Sequence, residues 1–204
     1  MTTNKKLLGA AALGFALMVT ASLPAQIQAG LLGRRTVGLS GFAEDIRTAN
    51  IANGSGALLG VNLPIGTNFD FGCSGSYESI NTNSFNEKQL SASLTAYQEL
   101  DSFKPFVDAS IGNIWQASTV GGVQYSDNKG IYAIGAGVEA PISDATAFVG
   151  RISYNRYFDS KLGHHWTYSF GINHWLTEQV AGVASVAFRG NDSIIYTVGL
   201  AVRF

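Results

Sequence analysis

The sequence predicts an all-β chain: a transmembrane, antiparallel, up-and-down β-barrel of ten strands, with eight as the alternative count. Three observations predict it. From Val37 onward the chain alternates apolar and polar residues in segment after segment, with no sustained period of 3.6. Charged residues make up 13% of 204 positions and glycine fills 24, against roughly 25% charged and about 7% glycine in an ordinary soluble domain. The apolar faces of the alternating segments carry no Asp, Glu, Lys or Arg.

The elements follow in order. Lys5 and Lys6 precede an apolar run from Leu7 to Ala21, and the small residues Ala25 and Ala29 follow, the layout of a secretory signal peptide. The run falls short of the about 20 apolar residues a membrane-spanning helix needs. The expected division is a cleaved signal peptide over 1–29, with a cut after Ala25 or Ala29, and a barrel domain over 30–204. The apolar faces of the barrel strands are Val37, Leu39, Ala43; Ala57, Leu59, Val61, Leu63; Phe69, Phe71, Cys73, Tyr77; Leu90, Ala92, Leu94, Ala96; and Val107, Ala109, Ile111. They continue as Tyr132, Ile134, Ala136, Val138; Phe148, Ile152, Tyr154; Trp166, Tyr168, Phe170, Ile172; and Val180, Ala184, Val186, Phe188. The tenth strand presents Ile194, Tyr196, Val198, Leu200, Val202 and Phe204, and a strand that persists this far needs a pairing partner. Ten is even, as a barrel with both ends on one side requires.

Short turns are expected at Pro64–Asn68, Leu100–Phe103, Pro141–Asp144 and Thr177, on one rim. Longer polar loops are expected on the other, at Arg47–Gly54, Ile80–Glu87 and Gln116–Asn128. The last hairpin, at Gly190-Asn191-Asp192, is short. A four-residue turn at Leu100–Phe103 would set Glu99 opposite Lys104 and Tyr97 opposite Phe106.

Alternation alone fits a soluble barrel as well, with the apolar face turned inward. Charge placement separates the two. The complementary faces hold Gly, Ser, Thr and Asn with scattered charges, too few for a solvated exterior. They suit a narrow lumen, with Tyr77, Trp115, Tyr154, Trp166 and Tyr168 as aromatic girdles at the membrane interfaces. Leu94, Ile111, Ile134 and Leu200 should then face lipid, and Ser93, Ser110, Gly135 and Ala201 the lumen.

A formal net charge of −1 gives no field for nucleic acid. Cys73 is the single cysteine, so no internal disulfide is expected. Gly135-Ala136-Gly137 lacks the third glycine of a dinucleotide loop, Asp127-Asn128-Lys129-Gly130 lacks an acidic partner for a cation, and no cofactor or metal is implied. The candidate site is a set of inward charges: Arg35, Asp70, Glu99, Lys104, Asp108, Glu139, Arg151 and Arg203. Buried charges are costly unless paired, so a mixed-sign set should form a lumen charge network that plugs the barrel. The alternative is a narrow passive pore whose charges select ions.

The segments FKPFVDASIG (103–112) and IGAGVEAPISDATAFVGRISYNRYF (134–158) resemble the central hairpins of the OmpA/opacity-type small outer-membrane barrels of the porin family. The terminal strand Tyr196, Val198, Leu200, Val202, Phe204 resembles the C-terminal sorting signal of bacterial outer-membrane barrels. The resemblance implies a Gram-negative outer-membrane protein, without catalytic residues, in a structural or surface-interaction role. Its implied partners are the lipid and lipopolysaccharide of that membrane and the barrel-assembly machinery, and it would act as a monomer. An outer-membrane hydrolase is the third reading. Against it, His165-Trp-Thr-Tyr-Ser169 does not match the His-x-Ser-Asn cluster of lipid A deacylases, and the Asp-x-Asp and Asp-x-His pairs of omptin-type proteases are absent.

Overall fold

The computed structural model describes residues 31–46, 53–80, 85–120, 122–190 and 193–204. Ten strands are formed: β1 (Thr36–Ile46), β2 (Gly54–Pro64), β3 (Phe69–Ile80), β4 (Phe85–Tyr97), β5 (Lys104–Val120), β6 (Val123–Pro141), β7 (Thr146–Tyr157), β8 (His164–Trp175), β9 (Val180–Arg189) and β10 (Ser193–Arg203). Each pairs antiparallel with its sequence neighbours, and β10 pairs with β1 from Thr36↔Arg203 to Ile46↔Ser193, so the sheet closes on itself. Closure through β9 and β10 excludes the eight-strand alternative, and every strand of the wall has a neighbour on both sides.

The alternation of the sequence becomes two faces. Along β1 every even residue is buried and every odd one is exposed. Leu94, Ile111, Ile134 and Leu200 are exposed, while Ser93, Ser110, Gly135 and Ala201 are buried. Large apolar side chains thus cover the outside, the arrangement of a protein solvated by lipid.

The rims differ as expected, with one correction. Short turns lie at 65–68, 98–103, 142–145 and 176–179, on the rim that also holds the start of β1 and the end of β10. In the second of them the Leu100 amide donates to the Phe103 carbonyl (3.2 Å), and Gln98 N to Pro105 O (3.1 Å). On the other rim, Gln116–Asn128 is a hairpin and not a loop. β5 and β6 pair up to Val120↔Val123, at 17 and 19 residues the longest strands of the barrel. A tilted strand crosses a membrane in about 9–11 residues. Here β6 loses its β7 neighbour above Ile131↔Tyr157, with a last bond from Phe158 N to Gly130 O (3.0 Å), so residues 123–129 pair only with β5. Both faces of this projection are solvated, so alternation vanishes there and its polar composition mimics a loop. Phe85–Glu87 likewise belongs to β4, and positions 47–52, 81–84 and 191–192 of the other expected loops lie outside the described residues.

Candidate functional site

Buried side chains lie at several levels of the lumen, from the short-turn rim towards the hairpin rim. At the short-turn rim Leu31–Arg34 folds into the mouth as a tight turn, the Arg34 amide donating to the Leu31 carbonyl (3.0 Å). Gly33 holds φ +81, a left-handed conformation that glycine adopts without steric cost. The turn drives two leucines inward. Leu31 packs with Ala181, Val183 and Ala201, with Trp175 against them. Leu32 packs with Tyr97, Phe106 and Val149. Polar bonds fix the turn: Gly33 N donates to Asp70 Oδ2 (2.9 Å), Leu32 N to Glu139 Oε2 (3.4 Å), and Asn62 Nδ2 to both Asp70 Oδ2 (2.8 Å) and the Arg34 carbonyl (3.1 Å). The Arg34 guanidinium lies 4.8 Å from the Trp175 ring centroid, a cation–π contact.

At mid-height Asp108 on β5 and Arg151 on β7 meet across β6. Arg151 Nε donates to Asp108 Oδ1 at 2.9 Å and Nη2 donates to Oδ2, a fork-to-fork pair. Gly135 on the intervening strand makes this possible, because a Cβ there would sit 2.6 Å from Asp108 Oδ1 and 2.8 Å from Arg151 Nη2.

Towards the hairpin rim lies a second polar cluster. Arg189 Nη1 is 3.3 Å from Glu44 Oε1, Gln116 Nε2 donates to Glu87 Oε2 (2.7 Å), and Lys129 Nζ donates to Gln116 Oε1 (3.3 Å). Glu78 stands opposite Glu87 in the β3–β4 register. Apolar side chains fill between these groups: Phe42 with Ala187 and Ile195, and Ile114 with Ile131 and Tyr157.

The eight charges expected in the lumen therefore divide. Asp70, Asp108, Glu139 and Arg151 are buried in it. Glu99 and Lys104 pair at 2.7 Å on the rim, with the Glu99 side chain largely exposed. Arg203 is exposed at the same rim. Arg35 is exposed too, and it precedes Val37 with the outward parity, so its assignment to the lumen is corrected. At the rim water solvates a charge without need of a partner, and nothing draws these residues inward. Of the buried members, Asp70 and Glu139 accept from the backbone of the Leu31–Arg34 turn, while Asp108 and Arg151 bind each other. Glu87 and Arg189 were missed, and Glu44, inward by its alternation, was left out of the expected set. Parity places all three inward, and closure of β1 on β10 sets Arg189 of β9 two strands from Glu44, which was the available signal.

The terminal residues Tyr196, Val198, Leu200, Val202 and Phe204 are all exposed on the outer face. The hydrolase residues do not converge. His165 and Ser169 share the inward face of β8 four residues apart, about 13 Å along a strand, and His174 faces outward, its Nδ1 2.8 Å from Thr146 Oγ1. Among the described residues no three His, Cys, Asp or Glu side chains gather as a metal-binding group.

Comparison with known proteins agrees with this geometry. The barrel is similar to the translocator domain of the autotransporter NalP from Neisseria meningitidis (TM-score 0.52, 11% identity, covering 98% of each chain). It is also similar to the outer membrane protease OmpT from Escherichia coli (TM-score 0.51, 8% identity, 84% of this chain and 97% of that one). The beta domain of the Bordetella autotransporter BrkA matches as well (TM-score 0.51, 10% identity, 84% and 98%). At such identities the likeness is one of fold. No curated protein matches the sequence. The family model for the outer membrane protein beta-barrel domain matches residues 8–173, and with the closed barrel and its apolar exterior this places the chain in that family of bacterial outer-membrane barrels.

Proposed function

We propose that this barrel is a non-conducting, non-catalytic protein of the outer membrane that serves as a structural and surface-interaction element. The observation that carries the reading is the burial of lumen side chains at every level. Leu31 (0% exposed) lies at the short-turn mouth, Asn155 (0%) in the barrel wall, and Glu44 (1%) and Arg189 (2%) near the hairpin end. A water-filled channel would wet such residues. Barrels of about eight strands have interiors just wide enough for side chains to fill, and here ten strands are filled with the help of the Leu31–Arg34 turn. The β5–β6 hairpin, standing above β7, supplies the surface for contact with partners.

Residues 1–29 act as a cleaved signal peptide in this reading, and a cut after Ala29 would leave a single residue ahead of Leu31. The molecule works as a monomer among outer-membrane lipid and lipopolysaccharide after insertion by the barrel-assembly machinery. Liposome swelling with small sugars tests the proposal: vesicles carrying the folded barrel should swell no faster than empty ones, and rapid swelling would favour the passive-pore alternative.

A further inference from the structure

The outward faces of β3 to β6 change character toward the hairpin. Cross-strand rows there run Ala92–Ile111–Tyr132, then Leu90–Asn113–Gly130, then Tyr77–Lys88–Trp115–Asn128, then Ser79–Asn86–Ala117–Ser126. Ile111 belongs to the last fully apolar row. Trp115 lies about 13 Å further along β5, beyond an outward asparagine, and so stands above the apolar belt. This is the interfacial level expected of a girdle aromatic.

That position is organised. A cavity of about 470 Å³ is lined by Asn86, Lys88, Trp115, Ala117, Ser126 and Asn128, among others. Trp115 is 43% exposed there, a large ring face without a lid. The Tyr77 hydroxyl donates to Asn86 Oδ1 (2.7 Å), and Asn113 Nδ2 donates to Asn128 Oδ1, so both amides are held through their oxygens and their nitrogens remain to donate. Lys88 has no acidic partner within 4.0 Å among the described residues, whereas Asp127, at the cavity edge, is taken up by Lys129 (3.1 Å).

We propose that this face binds the acidic core saccharide of a lipopolysaccharide molecule in the same leaflet. The Trp115 ring is the platform for the apolar face of a pyranose, as amphipathic aromatics are suited to be. The Asn86 and Asn128 amides donate to sugar hydroxyls, and the Lys88 ammonium meets a phosphate or carboxylate substituent. The face looks sideways, in the plane of the membrane, above the lipid tails and at the height of the core sugars that a neighbouring lipopolysaccharide carries beyond its lipid A. The assignment rests on the surface-interaction reading and names the chemistry of its partner.

The test uses the full barrel in detergent, with folding of each variant checked by heat-modifiability on a gel. Native mass spectrometry would follow binding of lipopolysaccharide with a complete core, of lipid A alone, and of the released core oligosaccharide as competitor. Full-core lipid should bind about ten-fold more weakly to Trp115→Ala and to the Lys88→Ala/Asn128→Ala double variant. It should bind unchanged to Trp166→Ala, an exposed aromatic of β8. Wild type should hold lipid A alone as weakly as Trp115→Ala holds the complete lipid. Equal binding by wild type and both site variants, or equal binding of lipid A and full-core lipid, would overturn the proposal. Competition by the free oligosaccharide at parity with the anchored lipid would overturn the membrane source. A barrel that passes the swelling assay yet fails here loses this site alone.

Discussion

At Gly135 a missing side chain lets charges from two non-adjacent strands meet, and most of what is specific in the lumen works through single residues of this kind. A buried ion pair contributes little net stability, but removing one partner strands the other and costs roughly 3–5 kcal/mol. Arg151→Met should therefore destabilise strongly in urea unfolding of the vesicle-inserted barrel, and adding Asp108→Asn should recover much of the loss. At the rim the effect reverses in size. The hydrogen bond and charge of Lys104 hold the Glu99 carboxyl below the usual glutamate range. Its stabilising contribution is thus present above the ordinary glutamate value and lost as pH falls through the lowered one. NMR titration of Glu99 should show a midpoint that moves up in Lys104→Ala, and an unchanged midpoint would remove the pair. Parity made the inward placement of Asp108 and Arg151 legible in the sequence, but their meeting across a glycine depends on the neighbour-but-one strand, which alternation does not encode. The Leu31–Arg34 turn was not legible at all, because two leucines ahead of the first strand carry no periodic signal.

Among elements, strands facing lipid on one side and a packed lumen on the other were legible nearly residue by residue, since a one-residue slip would turn every apolar side chain inward. The β5–β6 hairpin was not, because alternation is enforced only where one face meets lipid. The signal that could have found it is Val120-Gly121-Gly122-Val123, a two-residue glycine turn between β-branched residues; Gly122 has φ +81. Residues 123–129 pair only with β5, so replacing 118–125 by a two-residue turn should leave barrel folding intact on a heat-modifiability gel while removing the tip of the projection. By contrast Leu94→Arg, on the lipid face of β4, should cost roughly 2–4 kcal/mol, measured by denaturant titration in vesicles. If it cost nothing, the outward face would not be in the bilayer core.

For the molecule as a whole, the closed sheet satisfies every strand's backbone within the wall, as a structure spanning lipid must, and the Leu31–Arg34 turn, the Asp108–Arg151 pair and the Glu44–Arg189 cluster occupy successive levels of the interior. The fold was legible because lipid solvation leaves a strong pattern. The occlusion was less so, because inward apolar residues such as Phe42, Leu58, Phe106 and Ile195 sit among polar ones and look like breaks in the alternation. Single-channel recording in planar bilayers tests the central claim most directly. The folded wild-type barrel should insert without producing stable current steps. Reproducible ohmic steps that persist in the open state would contradict it, because the side chains placed in the lumen would then have to leave room for a continuous column of water.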